Sequence, residues 1–243
     1  MPEINAIPEA DLALLGRFDT PTICNIIELF DVRPRNTGFM DGRITACFPK
    51  MPPMVGYAST ATFRSAAPPR SGDIYSSMQQ QVDSFRELPG PAVVVFQDLD
   101  DPPAAATFGE VMCTTYKTFG AVGIVTSGGG RDLDQVEALG FPAFTAGTIC
   151  AHGYCHTLSI NVPVHVGGIT VCPGDLLHGD LNGVTTIPGE IASAVAHASR
   201  AFMAAEQVVL DYLKSGSGTA EGLGKARAEC GRMIESLRKK VQR

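Results

Sequence analysis

"FGEVMCTTYKTFGAVGIVTSGGGRDLDQVEALGFPAF", residues 108–144, places one short apolar run between two helical patterns. TFGEVMCTTYKTFG (107–120) predicts a helix, with Thr107 available as its cap and Gly120 as its stop. AVGIVTS (121–127) has the length and composition of a strand. RDLDQVEALG (131–140) predicts a second helix, terminated by Gly140. Helix, strand and helix in this order form part of a parallel crossover, in which successive helices open on the same edge of the sheet. That edge then holds Glu110, Arg131, Asp132 and free backbone N–H groups. Carboxylates bind a hard divalent cation, whereas arginine and helix-start amides bind an anion.

The glycines of SGGGRD invite a nucleotide reading, which their spacing excludes. The stretch is neither G-x-G-x-x-G nor G-x-x-x-x-G-K-[ST], and no lysine follows to reach a phosphate. The spacing predicts instead a flexible turn, close to a ligand, that delivers the Arg-Asp pair to a helix start.

Outward from this segment, helices alternate with strands upstream and strands cluster downstream. DLALLGRF and TPTICNIIELF read as helices, the second with Thr20 as cap and Pro21 in its first turn. VGYASTATF (55–63) and AVVVFQD (92–98) read as strands, separated by a helix within GDIYSSMQQQVDSFRELPG (72–90). From Pro142 to Pro188, short β-like runs are cut by Gly, Pro and Asp every few residues. A long helix over EIASAVAHASRAFMAAEQVVLDYLKSG follows. SGSGTAEG then reads as a linker to a last helix, KARAECGRMIESLRKKVQR. The pattern gives an α/β domain with a mixed sheet over 1–214, and a linker plus C-terminal helix over 215–243.

The 243 residues are 44% hydrophobic, ample for a packed core. A formal net charge of −6 argues against nucleic-acid binding, which needs a lysine and arginine excess. No apolar run reaches the ~18 residues of a membrane span, so no membrane partner is expected. The acidic N-terminus is unlike a signal peptide. Seven cysteines in no disulfide pattern fit a reducing, cytoplasmic setting. CAHGYCH, with Cys150, His152, Cys155 and His156, resembles a zinc site but lacks a second, separated ligand pair. It is expected to be a partly buried loop from which His156 could face a substrate. QDLDDPP (Asp98, Asp100, Asp101) is expected to be a solvated turn.

Residues 108–144, followed by VPVHVGGITVCPGDLLHGDLNGVTTIP (162–188), resemble the RraA-like family. The likeness rests on a Gly-Glu helix start, an Arg-Asp pair after a glycine turn, and a downstream Pro-Gly-Asp. It covers Gly109 to Pro188 clearly and TPTICNII and VGYASTATF more weakly. The family contains class II 4-hydroxy-4-methyl-2-oxoglutarate / 4-carboxy-4-hydroxy-2-oxoadipate aldolases and the regulator of RNase E activity A. The resemblance implies a β/β/α swivelling-domain fold assembled as a homotrimer or homohexamer, with its site between subunits. It implies Mg²⁺ or Mn²⁺ on Asp132, and Arg131 against the pyruvyl oxygen of a small 2-oxo acid. Glu110 is implied to hold metal-bound water. The turn from Gly109 into the Val111 and Met112 amides is implied to bind the substrate carboxylate. A neighbouring subunit's late helix is implied to bring a glutamate to the metal water, and Glu206 is the residue best placed for it. The implied activity is retro-aldol cleavage or oxaloacetate decarboxylation through a pyruvate enolate. The alternative is a non-catalytic, protein-binding regulator. Gln135 and Asn25 depart from the family pattern, where acids are usual.

Overall fold

The computed structural model describes residues 5–70, 77–216 and 218–242. In chain order the helices are α1 (Glu9–Leu15), α2 (Thr20–Phe30), α3 (Met78–Ser84), α4 (Glu110–Thr118), α5 (Leu133–Ala138), α6 (Ala192–Lys214) and α7 (Ala220–Val241). The strands are β1 (Thr45–Ala46), β2 (Met54–Arg64), β3 (Ala92–Asp98), β4 (Ala106–Phe108), β5 (Ala121–Thr126), β6 (Gly129–Gly130), β7 (Ala143–Thr145), β8 (Gly147–Thr148), β9 (His156–Ile160), β10 (Val164–Val166), β11 (Ile169–Val171), β12 (Leu176–Asp180) and β13 (Gly183–Ile187).

An eight-stranded mixed sheet runs β1-β7-β5-β3-β2-β12-β13, with β9 also on β2. Its centre, β2, β3, β5 and β7, is parallel because each strand is joined to the next through a helix. Strands covered on both faces are apolar throughout, which is why β3 reads AVVVF without alternation. Val94 and Phe96 face the helices α3 to α5, packing with Cys113, Tyr116, Val136 and Phe141. Val93 and Val95 face inward, with Val125, Phe144, Leu177, Val184 and the valines of the β10–β11 hairpin.

The segment from Phe39 to Ala46 ties the two ends of this sheet together. Phe39 bridges Thr185 of β13 and the Met40 N–H donates to Val184 O at 2.8 Å, while β1 pairs with β7 at the opposite edge. The sheet therefore curls until it is nearly closed. Gly179 of β12 sits so near Phe144 of β7 that a Cβ there would lie 2.9 Å from the ring.

A second helical layer covers β12 and β13. Ile23, Ile26 and Ile27 of α2 and Val195, Ala196, Ser199 and Phe202 of α6 recur at helical spacing and bury one face each. Each buried Ile, Val or Phe contributes about 1.5–3 kcal/mol. The apolar stripe of α6 is thus consumed inside the chain, and its exposed large hydrophobics are Met203, Leu210 and Leu213. Helix α7 folds back along α6 and reaches α2, where Gln242 Nε2 donates to Leu29 O.

Several element starts differ from the sequence expectation. The cap of α2 is Asp19, whose carboxylate accepts the Thr22 N–H, and Thr20 is already helical. Thr107 lies in β4, so α4 starts from Gly109. Arg131 and Asp132 precede α5 instead of opening it. Helix α7 begins at Ala220, because Thr219 accepts the Gly222 N–H and shortens the linker. The first part of the helix expected over 72–90 and one linker position, Ser217, lie outside the described residues.

Asp98 is buried and Asp100 half-buried, whereas Asp101 is exposed, so only part of QDLDDPP is a solvated turn. Asp100 pairs with Arg64 at 3.1 Å and accepts the Ser65 and Ala66 N–H groups. Asp98 is 9% exposed; its Oδ1 accepts the Asp100 N–H, and its Oδ2 has no hydrogen-bond partner among the described residues. Burial pushes this carboxyl up to about 6. With the folded value above the ordinary one of about 3.9, the folded chain holds a proton that the unfolded chain releases. The stability it contributes is complete below about pH 4 and is lost as pH rises through about 6. Asp98→Asn removes the buried charge and is expected to stabilise the fold by roughly 1–2 kcal/mol at pH 7.5. Thermal melting of both proteins at pH 4.5 and 7.5 checks this: a gap that does not widen with pH contradicts it.

Candidate active site

Three short parallel strands, β4, β6 and β8, form a small sheet beyond the C-terminal ends of β3 and β5. They set the two helix starts side by side. The Arg131 N–H donates to Phe108 O at 3.0 Å, which places Arg131-Asp132 next to Gly109-Glu110. Asp132 Oδ2 then accepts the Glu110 N–H at 3.1 Å.

The glycines make this junction possible by close approach and not by unusual dihedrals. Gly128, Gly129 and Gly130 all lack positive φ. A Cβ on them would lie 2.2 Å from Thr107 Oγ1, 2.8 Å from Ile149 and 2.4 Å from the Phe108 ring respectively. The turn is packed from three sides, which corrects the expectation of a bare, flexible loop. Gly109 is constrained by the pair itself: its Cβ would stand 2.5 Å from Asp132 Oδ2 and 2.9 Å from Arg131 Nε.

The left-handed conformation falls on Asp132, at φ 53° and ψ 41°. Such a backbone costs a non-glycine residue on the order of 1 kcal/mol, and aspartate and asparagine tolerate it best. Strain of this kind concentrates at functional positions. Only Oδ2 of Asp132 is engaged among the described residues, which leaves Oδ1 open. The Arg131 Nε lies 3.7 Å from Asp132 Oδ2, too far for a hydrogen bond. No other described acceptor holds the guanidinium, so its donors remain available.

Helix α4 has nine residues and starts without a side-chain cap. Its first internal bond runs from the Cys113 N–H to Gly109 O, and the Glu110 N–H goes to Asp132. Among the described residues the Val111 and Met112 N–H groups have no partner, at the positive end of the helix beside a cation. A hollow of about 30 Å³ is lined by Gly109, Val111, Met112, Arg131, His152 and Cys155 among others. That volume holds a single small group, so the remainder of any substrate must extend beyond the protomer's own walls.

The structure therefore brings Gly109, Glu110, Val111, Met112, Arg131 and Asp132 together. Glu206 does not join them within the chain. It stands on α6 near Asp19 and Cys230, and its carboxyl is raised by burial and by the Asp19 charge. Among the described residues no three His, Cys, Asp or Glu side chains converge as a metal cage. The Cys-His loop is partly buried: Cys150 and His152 are exposed, whereas Cys155 is buried in the core. His156 faces Arg64 across the β2–β9 pairing, and it is His152 that lines the hollow. Sequence reasoning passed over His152 because nothing local shows that its loop returns to β4. Cys113, 0% exposed, has its thiol raised by burial, as expected of an inert core cysteine.

Residues 20–186 match the model of the RraA-like family, described as aldolase/RraA. A relative from Halalkalibacterium halodurans, named provisionally as a 4-hydroxy-4-methyl-2-oxoglutarate aldolase, is 40% identical over 105 residues, 43% of this chain and 49% of the relative. The chain thus spans about half the length of that curated relative. Among solved structures, an uncharacterised protein of Pseudomonas syringae superposes with a TM-score of 0.72 at 23% identity, covering 93% of this chain and 96% of that one. RraAS2 of Streptomyces coelicolor, a member of the RNase ES inhibitor RraA protein family, superposes with a TM-score of 0.66 at 24% identity, covering 82% and 96%. Both share the fold. No helix among the described residues is long and apolar enough to cross a membrane.

Proposed function

The chain belongs to the RraA-like family, and from that premise we propose that it is a divalent-metal-dependent lyase acting on a small 2-oxo acid. It cleaves the C3–C4 bond of a 4-hydroxy-2-oxo acid, or decarboxylates oxaloacetate, and in either case gives pyruvate. The observation that carries this reading is the 3.1 Å junction between the Glu110 N–H and Asp132 Oδ2, with Arg131 alongside. It sets a carboxylate beside a cation, and that cation and the Val111 and Met112 positions line one hollow.

The donor set suits Mg²⁺ or Mn²⁺. Hard cations of this kind take one or two carboxylates and complete their shell with water and substrate oxygens, so a full protein cage is not needed. Asp132, through its open Oδ1, would be the anchor, and Glu110, exposed at the same helix start, would hold a coordinated water. When bound, the cation supplies electrophilic stabilisation of the enolate oxygen, the role of a Schiff-base lysine in other aldolases.

The chain's own groups do the rest. The Val111 and Met112 N–H groups receive the C1 carboxylate at the start of α4. Arg131 donates to the C2 oxygen, whose negative charge grows as the C3–C4 bond breaks. Since these contacts are fixed before reaction, they stabilise the developing charge without reorganisation. Residues 1–214 form the catalytic domain in this reading, with 215–243 a linker and terminal helix, and the protein works in the cytoplasm.

The small hollow and the absence of Glu206 from it within one chain both favour a site completed by a neighbouring subunit. A homotrimer or a homohexamer is therefore expected, with Glu206 of one copy approaching the site of the next. Light scattering at micromolar concentration checks this, and a monomer there removes Glu206 from the site. The activity itself is tested by pyruvate release from oxaloacetate and from 4-hydroxy-4-methyl-2-oxoglutarate, with Mg²⁺ and with EDTA. A protein that served only as a binding regulator releases none in either condition.

A further inference from the structure

We propose that His152 is the base that takes the C4 hydroxyl proton in carbon–carbon cleavage, an assignment that rests on the lyase reading above. His152 lines the same hollow as Arg131, Val111 and Met112. Its loop is pinned there. The Ala106 N–H donates to Ala151 O at 2.7 Å at the head of β4, and the Tyr154 N–H donates to Ser65 O at 3.0 Å. Cys155 is sunk in the core, and Gly153, at φ 51°, packs so closely on Ala105 that a Cβ would lie 2.9 Å from it. The histidine is carried on an anchored turn, fixed on one side to β4 and on the other to the residue that follows β2.

The ring's tautomer follows from the hydrogen bond that it makes among the described residues. His152 Nδ1 lies 2.8 Å from Gly153 O, and a carbonyl oxygen can only accept, so Nδ1 carries the proton. In the neutral ring Nε2 is then the lone-pair nitrogen, with no donor from the described residues. A neutral imidazole oriented through Nδ1–H to a carbonyl is the usual arrangement of a histidine general base.

The step balances. Nε2 takes the C4 hydroxyl proton, the O–H electron pair becomes the C4=O double bond, and the C3–C4 pair moves to C2–C3 to form the pyruvate enolate. In both reactions the enolate takes its C3 proton from solvent, giving the methyl group of pyruvate, and after cleavage the imidazolium gives its proton back to solvent, restoring the neutral ring. Oxaloacetate has no C4 hydroxyl proton to lose, since its leaving group is CO₂. The two reactions share the enolate and differ in their need for this base.

The test compares them in one protein. Wild type, His152→Ala and His152→Gln are assayed with Mg²⁺ on 4-hydroxy-4-methyl-2-oxoglutarate and on oxaloacetate, with thermal melting as a check on folding. Both variants are expected to lose about 10²–10⁴-fold in kcat for aldol cleavage and to keep decarboxylation within a few-fold of wild type. Equal loss of both reactions, loss of neither, or a rise in KM at unchanged kcat overturns the assignment. A wild-type protein that forms pyruvate from neither substrate defeats the lyase reading, and this proposal falls with it. One that cleaves both while the variants keep the aldol rate defeats the proposal alone.

Discussion

Asp132→Asn is expected to lower metal-dependent pyruvate formation by about 10³-fold or more, while the protein melts within a few degrees of wild type. Asparagine is the informative substitution because it separates the carboxylate's charge from its other duties. Like aspartate it tolerates the left-handed backbone at φ 53° and ψ 41°, and its carbonyl oxygen can still accept the Glu110 N–H. What it cannot supply is the negative charge that anchors a hard cation. A factor of 10³ corresponds to about 4 kcal/mol of barrier, within the several kcal/mol that electrophilic stabilisation by a bound metal provides. Asp132→Ala is expected to lose as much activity and also about 1 kcal/mol of stability, since alanine carries the full cost of the left-handed region. Near-normal turnover of the asparagine variant at saturating Mg²⁺ would place the metal elsewhere.

Local chemistry accounts for what the sequence made legible. A strand covered on both faces must be apolar, so β3 announced itself as AVVVF. A helix start must leave N–H groups free, so FGEV and RDLD could be placed on one edge from the sequence. The features that escaped are those set by residues far apart in the chain. Gly128, Gly129 and Gly130 looked like a hinge because glycine is equally suited to free rotation and to close contact. The contact with Thr107, Ile149 and Phe108 became visible only with the fold. Asp98 looked solvated beside Asp100, Asp101 and Pro102, and only the close approach of Gly128, where a Cβ would lie 2.5 Å from Asp98 Oδ2, shows otherwise. Closure of the sheet by residues 39–46 left no local mark, because a two-residue strand such as β1 has no periodicity to read. The apolar stripe of α6 recurs at helical spacing, but periodicity cannot tell whether the surface it meets belongs to the same chain.

Arg131→Lys is expected to lower kcat by about 10²–10³-fold, a cost of roughly 2–4 kcal/mol, with little change in thermal stability. The structure removes the most obvious competing role for this arginine. If it served mainly to pair with Asp132, the two would be bonded, yet Nε lies 3.7 Å from Oδ2 and the side chains are 29% and 36% exposed. An ion pair that loose and that wet is worth well under 1 kcal/mol, and lysine would replace it without consequence. Its backbone N–H, which does hold the junction through Phe108 O, is unchanged by the substitution. What differs between the residues is the shape of the cation. Guanidinium presents a planar fork that can meet two oxygens at once, whereas ammonium is a point charge on a flexible stem. If Arg131 acts on the oxygen where charge develops, the fork matters most at the transition state, and the loss falls on kcat more than on KM. Steady-state kinetics on whichever 2-oxo acid proves active decide between the roles. A variant with unchanged kcat and a raised KM makes Arg131 a ground-state binding group, and one with both constants unchanged removes it from the site.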